Sequence, residues 1–265
     1  MTDGALGRLE AALAQHAPLA VAVSGGVDSV TLAVVAHRAL PGRVTMLHAV
    51  SPAVPRSATD RVEAYADREG WNLVVLDAGE FSDPRYRANP VNRCYYCKSN
   101  LYGRIRGQTA ATIASGTNAD DLGDFRPGLK AGEEQGVVHP FVETGFCKAD
   151  IYALAAELEL TDLAALPAQP CLASRVETGI RIIVADLAFV EALEARLQPL
   201  MAESEPVRVR VRAAGVAVEA GAPATADAAG RMSDLAAQAC AEADRTFLGV
   251  EPYRRGSAFI RRVAG

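Results

Sequence analysis

The sequence predicts an α/β chain in two parts: a domain built on a parallel sheet over residues 1–177, and a smaller α/β domain over 178–265. Three observations predict it. Short apolar runs at 19–23, 44–50 and 73–76 are separated by helix-forming stretches, the rhythm of parallel strands joined by right-handed crossovers. A Gly-rich break, Ser24-Gly25-Gly26-Val27-Asp28-Ser29, follows the first run directly. Past residue 178 the pattern changes to strict alternation, Val207-Arg208-Val209-Arg210-Val211-Arg212, the mark of a half-buried strand.

In chain order, residues 5–16 read as a helix with Leu6, Leu9, Ala12 and Leu13 on one face. Residues 19–23 are apolar without alternation, so the strand is buried on both faces. The Gly25-Gly26 pair lets the backbone turn sharply and approach a ligand, and the Ala-, Leu- and Val-rich run from Val30 continues as a helix. N–H groups at that helix start, with the hydroxyls of Ser24 and Ser29, suit a phosphate; the plainer alternative is a Gly turn capped by Asp or Ser. The Gly-Lys-Ser/Thr ending of the common P-loop is absent, and Asp28 stands at the helix start instead.

Residues 44–50 form a second buried strand, ended by Ser51-Pro52. A surface helix over 56–69 closes on Gly70, and 73–76 is the third strand. The stretch 79–98 is irregular, broken by Pro84 and Pro90, after which Asn92 caps a helix carrying Cys94, Cys97 and Leu101. Residues 111–114 make a fourth strand running into the Gly- and Asx-rich turn 115–121. Ligands of such sheets sit at the carboxyl ends of the strands, which puts 24–29, the segment after His48 and 115–121 on one rim. Loop and short helix follow over 123–136, then an amphipathic helix over 147–160 with Ile151, Leu154, Ala155 and Leu158 inward. The second part reads as a long helix over 180–201, strands at 207–212 and 216–219, a helix over 224–243 and a strand at 246–250.

Half of the 265 residues are hydrophobic and 22% are charged, the composition of a globular protein. No apolar run approaches the roughly 20 residues of a membrane helix. No basic segment followed by an apolar core opens the chain, so the expected compartment is the cytoplasm and no membrane partner is expected. A formal charge of −5 argues against a broadly basic, nucleic-acid-binding surface. Five cysteines in such a protein point to metal, cluster or catalytic thiols rather than a disulfide framework.

Cys94 and Cys97, at i and i+3 near a helix start, share one face and stand close enough to share a metal; the helix dipole favours their thiolates. Two buried thiols or an incidental zinc half-site is the alternative. Cys171, in Pro170-Cys171-Leu172-Ala173-Ser174-Arg175, has polar neighbours that would expose and activate it, or it is a small core residue. Cys147 and Cys240 are assigned to packing. Three thiolates do not complete a structural zinc site, whereas they can hold a [4Fe–4S] cluster and leave one iron open to carry a loose sulfide. Arg208 and Arg210, two residues apart on a strand, share a face on which both can grip a phosphate; a solvated strand face is the alternative. Lys148 reaches a phosphate or is a surface residue at a helix start.

Ser24-Gly25-Gly26-x-Asp28-Ser29 resembles the PP-loop of ATP pyrophosphatases, which cleave ATP between the α and β phosphates. That resemblance implies an adenine nucleotide α-hydrolase-like domain that uses ATP and Mg²⁺. By it, Ser24, Gly25, Gly26, Asp28 and Ser29 bind pyrophosphate, Asp28 stands near the metal, and Gly116 and Thr117 line the adenosine or α-phosphate side. Beyond the superfamily, five segments are similar to the LarE family: 116–121, 126–131, 170–175, 207–210 and the ending Tyr253-Arg254-Arg255-Gly256-Ser257. The likeness spans residues 18 to about 258, and Pro-Cys-Leu-Ala-Ser-Arg is its most specific part.

LarE proteins are ATP-dependent sulfur transferases that help make the nickel-pincer nucleotide cofactor of lactate racemase. The resemblance implies adenylation of a carboxylate on a pyridinium-dicarboxylate mononucleotide, then replacement of AMP by sulfur to give a thiocarboxylate. In one branch the cysteine matching Cys171 gives up its own sulfur; in the other it joins a Cys-x-x-Cys pair around an iron–sulfur cluster, and Cys94 and Cys97 put this chain with the latter. The resemblance also implies that Ser174, Arg175, Glu194 and Glu219 join Arg208 and Arg210 at the substrate, and that the chain forms a homo-oligomer, a hexamer. It names no sulfide donor. Three departures stand out: Arg212-Ala213-Ala214-Gly215 lacks the family's His, Arg175-Val176-Glu177-Thr178-Gly179 replaces Arg-Ile-Pro-Tyr-Gly, and Tyr152 replaces an Arg. The competing readings are a PP-loop [4Fe–4S] tRNA thiolase, an ammonia-dependent amide synthetase with structural cysteines, and a non-catalytic iron–sulfur or ATP-sensing module.

Overall fold

The computed structural model describes residues 3–123, 126–202, 204–254 and 256–257. It divides into two compact units, one of Met1–Asp83 with Asn92–Gln169, the other of Pro84–Val91 with Pro170–Gly265. The expected boundary at 177/178 thus falls eight residues beyond the observed division at 169/170, and a short internal segment unexpectedly belongs to the second unit. No helix among the described residues is long and apolar enough to cross a membrane.

The first unit starts with α1 (Asp3–His16), β1 (Leu19–Ala22) and α2 (Val27–Ala39). Then come β2 (Val44–Val50), α3 (Arg56–Glu69) and β3 (Leu73–Asp77). As expected, α3 closes on Gly70, whose φ of 68° is the left-handed conformation glycine adopts without penalty. The chain then gives α4 (Pro84–Arg87) to the second unit before returning as α5 (Arg93–Arg106), β4 (Thr112–Ser115) and α6 (Pro127–Glu134). The short α7 (Pro140–Glu143), α8 (Lys148–Glu157) and α9 (Thr161–Ala164) complete it.

The four strands lie in the order β3-β2-β1-β4 and every pair is parallel. The central run is therefore covered on both faces: Leu19, Ala20 and Val21 of β1 are buried, as are Val30 to Ala36 along α2, whereas Val75 of the edge strand β3 is exposed. α2 packs against α1 and α8, with Leu9, Leu13, Ile151 and Leu154 wholly buried in the same core. Chain order runs outward from β1 through β2 and β3, then returns to β4 on the other side of β1. That reversal opens a crevice at the carboxyl ends of β1 and β4, where ligands of open α/β sheets bind. Ala22 pairs with Ser115, so the two loops that leave these strands start level with each other.

The second unit contains α4, α10 (Val184–Leu197), β5 (Val207–Arg212), β6 (Gly215–Ala220), α11 (Ala228–Glu242) and β7 (Phe247–Pro252). β5 and β6 form an antiparallel hairpin, and β7 pairs parallel to β6. The helix expected over 180–201 begins only at Val184. Upstream of it the backbone is committed elsewhere: the Glu177 N–H bonds to Val211 O at 2.9 Å, and the Ile182 N–H to Arg87 O at 2.9 Å. Asn89 reaches the same stretch, its Nδ2 donating to Glu177 O at 2.8 Å.

The crevice depends on one close approach. A Cβ on Gly116, just past β4, would lie 2.7 Å from the Ser29 N in the first turn of α2, a backbone atom with no room to move. Gly116→Ala is expected to lower stability by about 2 kcal/mol, seen as roughly 4–8 °C in the thermal midpoint. Gly123→Ala, whose Cβ meets nothing within 4 Å, is the control and should leave the midpoint unchanged.

Candidate functional site

The bend after β1 is closed by its own hydroxyls. Ser29 Oγ donates to Gly26 O at 3.1 Å and accepts from the Ser24 N–H at 3.0 Å, and the Ser24 and Ser29 hydroxyls are 3.0 Å apart. Gly26 is the N-cap of α2 and no side chain caps that helix, so its start presents N–H groups and a partial positive charge to the crevice. Gly25, at φ 82°, backs onto α3, where an added Cβ would meet Ala58 O at 2.5 Å. From the same helix Arg61 donates Nη1 to Gly25 O at 2.7 Å and to Gln169 Oε1 at 3.2 Å. Burial pushes the Arg61 pKa down, against the pull of Asp162.

Three elements meet at Asp28. Lys148, the first residue of α8, places Nζ 2.6 Å from Asp28 Oδ2, and Asn118 Nδ2 lies 3.4 Å from Oδ1. Lys148 is therefore no idle surface residue. Asn118 is buried and organises its own turn, accepting the Asp120 N–H at 3.0 Å, while Asp120 in turn accepts the Lys148 N–H at 2.9 Å. Cys147, expected to pack in a helix, is instead the N-cap of α8 in a capping box with Asp150, whose carboxyl is held below its usual range chiefly by hydrogen bonds from Cys147. Gly116 and Thr117 border the crevice as expected, and Thr117 Oγ1 joins a chain through Ser115 Oγ at 3.0 Å to His139 Nδ1 at 2.8 Å.

Cys94 lies in the first turn of α5 and Cys97 at the start of the second, both half-buried. They are one turn apart on one helix face, the arrangement two thiolate ligands of one cluster need. Asn92 takes the N-cap position but forms no side-chain cap. α6 comes close here: a Cβ on Gly128 would sit 3.5 Å from Cys94 O. Within each unit, among the described residues, no three His, Cys, Asp or Glu side chains gather to hold a metal ion. The expected cluster draws two ligands from the first unit and Cys171 from the second.

In the second unit Cys171 is exposed at the start of a 3-10 turn whose next four residues, Leu172 to Arg175, are buried. Arg175 anchors that turn. Its Nη1 donates to Pro170 O at 2.6 Å, Cys171 O at 3.1 Å and Ser174 Oγ at 3.0 Å. Its other two nitrogens form a fork onto Glu194, at 3.0 and 2.9 Å. Glu194 also accepts the Val209 N–H of β5 at 2.9 Å. On the same strand Arg210 pairs with Glu219 at 2.9 Å and donates to Ser174 O at 3.0 Å.

The solvated alternative for the basic strand face fails at Arg210, which is buried at 5% exposure against Glu219 at 1%. Arg212 joins Glu219 at 3.1 Å and forks onto Glu251. Arg208 differs: burial, then the neighbouring Arg175, lowers its pKa against the pull of Glu194. Cys240 is fully buried and its thiol pKa is raised by that burial, consistent with packing. Of the family ending, Arg255 lies outside the described residues.

No protein-family model matches the chain. It is 36% identical over 184 residues to an uncharacterised protein of Synechocystis, covering 68% of each. It is 33% identical over 198 residues to the pyridinium-3,5-bisthiocarboxylic acid mononucleotide synthase of Lactiplantibacillus plantarum, covering 72% of this chain and 71% of that one. An uncharacterised protein of Methanocaldococcus jannaschii is 28% identical over 182 residues, 67% of this chain and 68% of its own.

His139 ties the crevice wall to pH. Burial is the main cause that lowers its pKa below 6.5, against Glu143 and Asp121 and with Lys98. The folded state therefore favours the neutral ring: its contribution is complete above about pH 6.5 and is lost as pH falls through the depressed value. The thermal midpoint of the parent should fall more steeply than that of His139→Gln below about pH 6.5; parallel curves would contradict this.

Proposed function

The chain belongs to the LarE family of sulfur transferases, and from that premise we propose that it adenylates a carboxylate of a pyridinium-dicarboxylate mononucleotide and exchanges AMP for sulfur. The observation that carries the reading is the uncapped start of α2 behind a two-glycine bend, set in the crevice between β1 and β4 and faced by Asp28 and Lys148.

A carboxylate resists attack by sulfur because its leaving group would be oxide. Attack of its oxygen on the α phosphorus of ATP expels pyrophosphate and forms a mixed anhydride; sulfide then adds to the acyl carbon, AMP leaves with the bonding pair, and a thiocarboxylate remains. In this proposal the N–H groups of Gly26 and the first turn of α2, with Ser24 and Ser29, receive the departing pyrophosphate. Asp28 offers Mg²⁺ the hard oxygen it prefers, and the magnesium charge would replace that of Lys148 on the carboxylate, leaving the ammonium for a phosphate. Gly116 and Thr117 stand at the adenosine or α-phosphate side. Arg208 grips the phosphate of the mononucleotide, while Ser174, Arg175, Glu194, Arg210 and Glu219 hold the framework around the 170–175 turn.

The helix-start pair Cys94 and Cys97 fits a [4Fe–4S] cluster as two of its ligands, and the family resemblance supplies the third, Cys171. Such a cluster would supply an open iron that carries sulfide. The exposure of Cys171 also favours a second route, in which its own sulfur is transferred.

Anaerobically purified parent should contain about four irons with matching acid-labile sulfide, all lost in Cys94→Ala, Cys97→Ala and Cys171→Ala. Cys171→Ala should still release pyrophosphate in the presence of the carboxylate substrate while forming no thiocarboxylate. An iron-free parent that loses about 34 Da per turnover, the mass of hydrogen sulfide, would replace the cluster route by the sacrificial one. No pyrophosphate release from the parent would reject adenylation.

A further inference from the structure

One peptide unit sits at the centre of the bend. Its carbonyl is that of Gly25 and its N–H is that of Gly26; in a planar trans peptide the two point in opposite directions. Neither flanking residue carries a Cβ, so rotation of this plane meets little steric resistance. Substitution does not offer a stiffer bend, because Gly25 is at φ 82° and its Cβ would strike Ala58 O. The orientation has to come from a side chain that grips the unit. The next peptide is held in this way by Ser29, through Gly26 O. The Gly25–Gly26 peptide is held by Arg61 of α3, at 2.7 Å.

We infer that Arg61 is a positioning residue for the phosphate loop: by keeping the Gly25 carbonyl on the α3 side it keeps the Gly26 N–H turned into the bend, toward an anion. A cation on the carbonyl also polarises the peptide and makes its N–H a better donor. Through the same nitrogen Arg61 holds Gln169, the last residue before Pro170, so the loop and that segment share one anchor. This inference rests on the reading that the bend takes the polyphosphate of ATP.

Isothermal titration of ATP and of AMP into parent, Arg61→Met and Arg61→Lys separates the two. A parent that does not bind ATP fails the functional reading itself. Given binding, Arg61→Met should weaken ATP by about tenfold, the worth of a charge-assisted hydrogen bond. AMP lacks the phosphates the bend would receive and should change by less than about twofold, which also reports a folded protein. Arg61→Lys keeps a cationic donor and should recover ATP affinity to within about threefold of the parent. Unchanged ATP affinity in Arg61→Met, an equal loss of ATP and AMP, or no recovery with lysine would each overturn the inference. Should Arg61→Met not fold, Arg61→Gln takes its place under the same criteria.

Discussion

The first unit depends on backbone approaching backbone where no side chain fits between. Gly25 presses on the Ala58 carbonyl and Gly116 on the amide of Ser29, so the bend after β1 is clamped between α3 and the end of β4. The start of α2 beside this bend carries no side-chain cap, and an uncapped helix start suits an anion. Sheet order adds the place: the reversal between β1 and β4 opens the crevice where that start points. Asp28 and Lys148 then set a balanced charge pair at its mouth, which a metal and a phosphate together would replace.

The second unit follows a different logic. Its buried ions are chained, Arg175 to Glu194 and Arg210 to Glu219 to Arg212, with Arg175 and Arg210 also donating to carbonyls of the 170–175 turn. Taking such charges out of water costs about as much as their attraction returns, so the network is weak evidence for stability. Its visible product is geometric: three hydrogen bonds from one guanidinium nitrogen hold the turn whose first residue is an exposed cysteine.

Much of this was legible in the residues, for reasons that can be named. The strands at 44–50 and 207–212 and the helix at 56–69 match their expected bounds, since apolar runs, alternation and a closing glycine are local signals. The two-glycine bend and the 115–121 turn fall at the expected rim because parallel topology leaves no other place for them. What escaped reading is long-range. Residues 84–91 join the second unit through Asn89 and Arg87, whose partners Glu177 and Ile182 lie far along the chain. Alternation along 207–212 identified a basic face but not what pairs with it, and Glu219 and Glu251 pair with Arg210 and Arg212 there. Nothing in the sequence sets Arg61 apart within the surface helix over 56–69; only the fold brings α3 behind the bend.

The chemistry proposed for this LarE-family chain is a carboxylate made reactive by transfer of an adenylyl group, and bond connectivity tests that proposal most directly. The substrate carboxylate is labelled with heavy oxygen, turned over with ordinary ATP, and the products are weighed by mass spectrometry. The account predicts one heavy oxygen in the AMP, carried there when sulfur displaces the anhydride. AMP free of label, or label found in ADP or inorganic phosphate, would contradict it.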